Sequence, residues 1–133
     1  MHGGMLFAAR LALEMGIDAE FDYLHATRYH GETKGSGLAW LHRPATIIEG
    51  RSVLLVDDIL DEGHTLKAVR DWCEDQGAIK VKIAVMTTKQ HDRCVTGLKA
   101  DYSGLYVPDR YIFGYGMDIN EHGRNLPGIY ALS

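Results

Sequence analysis

A chain of 133 residues with 46% hydrophobic side chains has enough apolar material for one core and is short for two. Its net charge of -4 lacks the electrostatic footprint of a nucleic-acid binder, and no apolar run nears the roughly 20 residues that cross a bilayer. Cys73 and Cys94 stand far apart, which points to reduced, cytoplasmic thiols, and the histidines come with no Cys-x-x-Cys or His-Glu-x-x-His to build a zinc site.

Met5 to Met15 is predicted to be a helix, because Leu6, Ala9 and Leu13 form an apolar stripe and Gly16 is placed to end it. Phe21 to Thr27 reads as a strand. Arg28–Gly37 is polar and carries three glycines, the composition of a long loop. Leu38–Leu41 reads as a short returning strand. Ser52–Val56 is a continuous apolar run after Ser52, expected to be a strand buried on both faces. Thr65–Gln76 suits a helix that buries Leu66, Val69 and Cys73 and stops at Gly77. Ile79, Val81, Ile83 and Val85 alternate with Lys80, Lys82 and Ala84, the period of a strand. Ser103–Val107 and Ile129–Leu132 are the last expected strands. Helices alternating with apolar strands give an α/β domain with a mostly parallel sheet flanked by helices. A Gly-Gly turn before a helix normally follows a strand. This chain opens on that turn at Gly3-Gly4 with the strand missing, so residues 1–133 are expected to be one domain that is a fragment.

The stretch VLLVDDILDEGHTL, Val53 to Leu66, concentrates the chemistry. Asp57, Asp58, Asp61 and Glu62 crowd together at the end of an apolar strand, and Gly63, His64 and Thr65 follow at a helix start. Ligands of open parallel sheets bind at such carboxyl ends. Amides of residues 61 to 65, with the Thr65 hydroxyl, can point at one phosphate. Unpaired like charges this close are unfavourable, so the two adjacent carboxylates call for a diol or a magnesium ion. Phosphate on one side and diol plus metal on the other describe a sugar phosphate. The same residues also fit a solvated acidic turn, a phosphoacceptor aspartate or a generic magnesium site.

This stretch closely resembles the phosphoribosyl-pyrophosphate (PRPP) motif of type I phosphoribosyltransferases. A second stretch, VPDRYIFGYGMDINEHGRNLPGIYAL from Val107 to Leu132, is similar to the C-terminal signature of the hypoxanthine-guanine phosphoribosyltransferase family. Together the two are far more specific than either alone, and the order of the remaining segments agrees over essentially the whole chain. The resemblance implies the type I fold with a flexible catalytic loop, and an N-terminal helix and strand that this sequence lacks. It also implies purine salvage: phosphoribose moves from PRPP to N9 of hypoxanthine or guanine, and pyrophosphate is released.

By that resemblance, Asp57 and Asp58 hold the ribose hydroxyls and help place Mg2+, and Asp118 contacts a second magnesium. Asp61 is the candidate general base for the proton at purine N7, its pKa raised by neighbouring carboxylates. Residues Asp61, Glu62, Gly63, His64 and Thr65 cradle the 5′-phosphate. Glu62 stands where the family usually has threonine, which requires its side chain to turn away. His2, Gly3 and Gly4 match a loop that faces pyrophosphate, with His2 where lysine is common, and Arg124 matches a pyrophosphate-binding arginine. Lys89 matches the donor to the exocyclic purine oxygen, Tyr111 the ring that stacks on the base, and Ile112 the backbone at the base edge. Tyr29 belongs to the closing loop, which generally begins Ser-Tyr and here begins Arg28-Tyr29. The family also implies a homodimer or homotetramer, with no membrane or nucleic-acid partner. A xanthine-preferring relative is the nearest alternative. A non-catalytic regulator sensing PRPP or nucleotide is the other, against which Asp61, Lys89 and Arg124 argue.

Overall fold

The computed structural model describes residues 2–28 and 37–133. In chain order these form α1 (Met5–Glu14), β1 (His25–Arg28), β2 (Leu38–His42), β3 (Ser52–Leu60), α2 (His64–Asp75), β4 (Lys80–Lys89), β5 (Tyr102–Val107), β6 (Ile112–Phe113) and β7 (Tyr130–Ala131). The expected α/β architecture is present. Strands β3, β4 and β5 lie side by side in that order, all parallel. The pairs β1–β2 and β6–β7 are separate antiparallel ribbons.

Alternation along β4 builds the core. Ile83 and Val85, each 1% exposed, point to one side and join Leu60, Leu98 and the partly buried Leu55 and Leu66. Met86 belongs to a second cluster with Val107, Ile112, Met117 and the partly buried Phe7 of α1. A side chain of this kind taken from water contributes about 1.5–3 kcal/mol. Helix α2 buries Val69 and Cys73, as its spacing requires, and Gly77 follows with φ 94° as its stop.

Several elements depart from expectation. Strand β1 begins at His25 rather than Phe21, because Asp22 is used as a clamp. Its carboxylate accepts the backbone N–H groups of Tyr23, Ala45 and Thr46, each at 2.8 Å, which fixes the approach to the strand in a non-ladder conformation. The apolar stripe of α1 is not buried: Leu13 is 86% exposed, and the helix docks through Phe7. Val53–Val56 is not buried on both faces either. Among the described residues β3 is an edge of the three-stranded sheet, and Leu54 is exposed.

The correction with most bearing on function is the length of β3. The strand does not stop at Val56. It runs through both aspartates to Leu60, with Asp57 opposite Val85, Ile59 opposite Thr87 and Leu60 opposite Thr88. The Thr87 hydroxyl, fully buried, donates to the Asp58 carbonyl at 3.1 Å. The paired aspartates are therefore part of the ladder, and Asp61, Glu62 and Gly63 form the turn before α2.

Candidate functional site

The turn after β3 depends on Gly63. Its φ is 81°, a left-handed conformation that disfavours any side chain, and a Cβ there would collide with Leu98 and crowd Leu60. Gly63 starts α2 with no side-chain cap. The first-turn amides of an α-helix have no partners within the helix, and the helix dipole makes that end positive. Here that end opens onto a cleft of about 550 Å³ lined by Asp57, Asp61 to Leu66, Ile59, Thr27 and Arg28. Asp61, Glu62, Gly63, His64 and Thr65 thus come together as expected. Arg28 joins them from β1, a cation at the cleft whose sequence position offered only a loop boundary.

Glu62 behaves as its unusual position requires. Its side chain is 54% exposed and lies 3.4 Å from His64 Nε2, while its carbonyl accepts the Val95 N–H at 2.8 Å. The backbone is thereby fixed independently of the carboxylate.

Asp57 and Asp58 meet the opening loop. The Asp57 Oδ1 accepts the Asp58 N–H at 2.9 Å, and Asp58 Oδ1 accepts the Ile59 N–H at 2.7 Å. A Cβ on Gly3 would strike the Asp58 carboxylate, and one on Gly4 would crowd Asp57. On its far side Gly3 abuts Gly116, whose φ is 103° and which likewise has no room for a Cβ. Gly3 and Gly4 therefore fill a space too narrow for side chains. Burial, and next the charge of Asp58, push the Asp57 carboxyl up to about 7.

Arg124 reaches the same region from the C-terminal segment. Its Nη1 donates to the Gly116 carbonyl at 2.7 Å, and its Nη2 lies 3.6 Å from both Asp118 and Glu121. Asp118 is occupied within this turn: its Oδ2 accepts the Glu121 N–H at 2.9 Å, and its carbonyl accepts the Tyr111 hydroxyl at 2.8 Å. Tyr111 has a half-exposed ring, whereas Ile112 is buried. His2 is exposed, with its ring 6.0 Å from that of His25. Tyr29 lies outside the described residues.

Asp61 has surroundings opposite to those expected. Its neighbours are not carboxylates. Lys89 Nζ lies 3.2 Å from Oδ2, and His91 Nε2 lies 2.6 Å from Oδ1. Partial burial pushes the carboxyl upward, but the hydrogen bonds from His91 and Lys89 outweigh it and hold the group below the usual carboxylate range. Lys89 is the last residue of β4 rather than part of a loop after it, and its side chain is 14% exposed. Sequence reasoning missed His91. Its one local signal is that it stands two residues beyond Lys89, and the contact with Asp61 spans 30 positions.

No group of three or more His, Cys, Asp or Glu side chains able to hold a metal occurs among the described residues. Asp57 and Asp58 nevertheless fit a magnesium ion that arrives with a phosphorylated substrate. Such an ion takes one or two carboxylates and keeps water and phosphate oxygens for the rest. The upward push on Asp57 marks a pair of carboxylates that a nearby cation would relieve.

Residues 1–119 match the model of the phosphoribosyl transferase domain. The chain is 38% identical over 133 residues to a hypoxanthine-guanine phosphoribosyltransferase of Streptococcus pneumoniae, covering 99% of this chain and 73% of that protein. Among solved structures, a hypoxanthine phosphoribosyltransferase from Staphylococcus aureus superimposes with a TM-score of 0.90 at 28% identity, over 100% of this chain and 72% of its own. A hypoxanthine-guanine phosphoribosyltransferase from Bacillus anthracis gives 0.88 at 32% identity, over 98% and 77%.

Proposed function

This chain belongs to the phosphoribosyltransferase family, and from that premise we propose that it transfers phosphoribose from PRPP to N9 of hypoxanthine and guanine. The products are the purine nucleotide and pyrophosphate. One observation carries the reading: the uncapped start of α2 and Asp57 line one cleft, so a phosphate and a sugar can be held together.

The 5′-phosphate would sit on the amides of residues 61 to 65, with the Thr65 hydroxyl as a further donor. Asp57 and Asp58 would hold the ribose hydroxyls. Their negative charge favours the positive charge that grows on the ribose ring as pyrophosphate departs. Anchored in the β3–β4 ladder, they have little freedom to move, which suits preorganised electrostatics. His2, Gly3, Gly4 and Arg124 would face the pyrophosphate, and Tyr29 would close over it. Magnesium, when bound, neutralises the pyrophosphate and makes it a better leaving group. Asp57 and Asp58 are its proposed ligands. Asp118 is a weaker one, because its carboxylate is already engaged by Glu121 and Arg124.

On the base side, Lys89 would donate to the exocyclic oxygen of a 6-oxopurine, Tyr111 would stack on the ring, and Ile112 would offer backbone groups at the base edge. Asp61 would accept the N7 proton. Held below the usual carboxylate range, it is ionised throughout the neutral region and serves as an acceptor from the start. We extend the proposal to a cytoplasmic homodimer or homotetramer, in line with the free thiols of Cys73 and Cys94.

The test is incubation with PRPP, magnesium and each of hypoxanthine, guanine, xanthine and adenine, following nucleotide by absorbance. Nucleotide from the first two supports the reading. Product from xanthine alone moves the assignment to the xanthine-preferring relative, and none from any oxopurine overturns it.

A further inference from the structure

We propose that His91 is a positioning residue that holds the Asp61 carboxylate by one oxygen, so that only the other is left to face the purine. The proposal deepens the reading of Asp61 as the proton acceptor and rests on it.

The geometry fixes the imidazole at both ends. His91 Nδ1 accepts the backbone N–H of Arg93 at 2.9 Å. A ring nitrogen that accepts carries a lone pair and no proton, so the proton of the neutral ring is on Nε2. That nitrogen is 2.6 Å from Asp61 Oδ1, so the bond runs from Nε2–H to the carboxylate. The side chain is only 4% exposed, which keeps water from competing for the bond. The Arg93 backbone that orients the ring is anchored in turn. Its guanidinium grips Asp109 with two bonds of 2.8 and 2.9 Å. A continuous set of contacts thus runs from Asp109, beyond β5, through Arg93 and His91 to Asp61.

The two partners of Asp61 differ in what the reaction asks of them. Lys89 holds Oδ2, and the proposed purine claims Lys89 for its exocyclic oxygen. His91 makes no such exchange, because both its nitrogens are committed within the protein. On binding, Oδ2 becomes the free acceptor while Oδ1 stays held. A carboxylate restrained at one oxygen presents the other in a fixed direction, and orientation of this kind is a recognised part of proton-transfer catalysis. Among the described residues, the charged and titratable groups around Asp61 include Lys89 from β4, His91 and Arg93 from the turn after it, Glu62 and His64 at the start of α2, Asp109 beyond β5, and Arg28 of β1 and Asp57 of β3, which line the same cleft. Of these, His91 and Lys89 bond Asp61 directly.

The experiment compares the full chain with His91→Gln and His91→Leu. Glutamine can place an N–H near the Nε2 position, whereas leucine fills space without a donor. The expected result is a fall in kcat of about tenfold or more for His91→Leu, with the KM for PRPP within about twofold. The acid limb of its kcat–pH profile should move to higher pH, as Asp61 loses a bond that favours its charged form. His91→Gln should recover most of kcat. Equal losses in both variants, or an unchanged profile in His91→Leu, would overturn the proposal and leave His91 as packing. Nitrogen NMR of the resting wild type gives a readout that does not need turnover. It should show His91 protonated at Nε2, with that proton protected from exchange, and the protection should be lost in Asp61→Leu, which has no acceptor for it. An Nδ1-protonated ring, or unaltered protection in that variant, overturns the proposal whether or not the wild type makes nucleotide. A wild type without transferase activity overturns the functional reading alone.

Discussion

The Lys89 ammonium lies 3.2 Å from Asp61 Oδ2, so the proposed purine donor is ion-paired with the proposed base before any substrate arrives. Purine binding then has to share or replace that pair. Lys89→Ala should raise the KM for hypoxanthine about 10- to 100-fold, matching the 1.5–3 kcal/mol of a charged hydrogen bond, while the KM for PRPP changes little. Steady-state kinetics with each substrate varied in turn would measure this. An equal loss for both substrates would contradict the assignment.

Asp61→Asn keeps the shape and removes the proton acceptor. Turnover should fall about 100-fold or more, with PRPP binding near normal, as for the loss of a group that acts on the chemical step. Isothermal titration with PRPP and a separate rate measurement divide the two effects. Unchanged turnover would remove Asp61 from the chemistry.

Glu62 places a carboxylate on the turn proposed to hold phosphate, 3.4 Å from His64 Nε2. Glu62→Thr should tighten PRPP by about fivefold at low salt, corresponding to roughly 1 kcal/mol for a charge near the surface. The gain should shrink as salt screens the interaction. Measuring the KM for PRPP at two ionic strengths would show it, and weaker PRPP binding by the threonine variant would refute the repulsion.

Gly116→Ala tests the packing of the opening loop. The left-handed φ and the nearby Gly3 carbonyl both oppose a side chain. The variant should lose about 1–3 kcal/mol of stability and bind PRPP more weakly, since Gly3 would be displaced from Asp58. A thermal melt with the KM for PRPP measures both, and a variant that matches the wild type in each would show that the contact yields freely.

Asp22 gives a pH-dependent outcome. Backbone bonds from Thr46, and lesser ones from Tyr23 and Ala45, hold its carboxyl down to about 2 from an ordinary 3.8. The lowered value means the folded chain favours the ionised form. Its stabilisation is complete above 3.8 and is lost as pH falls through the lower value. Asp22→Ala should therefore melt at lower temperature than the wild type at neutral pH, and the gap should close toward pH 2. A gap that persists unchanged in acid would exclude the clamp.

Local pattern made much of this molecule legible. The alternation in β4, the apolar face of α2 and the glycine that stops it follow from side-chain period, which backbone geometry imposes directly. The acidic stretch announced the turn between β3 and α2. The extension of β3 through Asp57 and Asp58 was not legible, because polarity marks the end of a buried run, while the ladder with Val85 and Thr87 depends on another strand. The late start of β1 has the same origin: Asp22 serves residues more than 20 positions away. His91 could not be found from spacing, since its partner lies across the fold. For the same reason Asp61 was given the wrong neighbours. Sequence proximity suggested carboxylates, whereas tertiary structure supplies a lysine and a histidine.

The parallel sheet and the C-terminal ribbon are joined mainly through one apolar cluster, Met86 and Val107 on one side and Ile112 and Met117 on the other. Under the proposed function, the sheet and the start of α2 read the sugar, the phosphate and, through Lys89 and Asp61, part of the base edge, whereas Tyr111 and Ile112 of the C-terminal segment stack on the base and offer backbone groups at its edge. Such a division leaves the ring-stacking side of the base pocket open to exchange. Residues around Tyr111 can drift or be swapped to admit a different heterocycle, provided the seam stays greasy and Gly116 and Arg124, which meet the donor side, are kept.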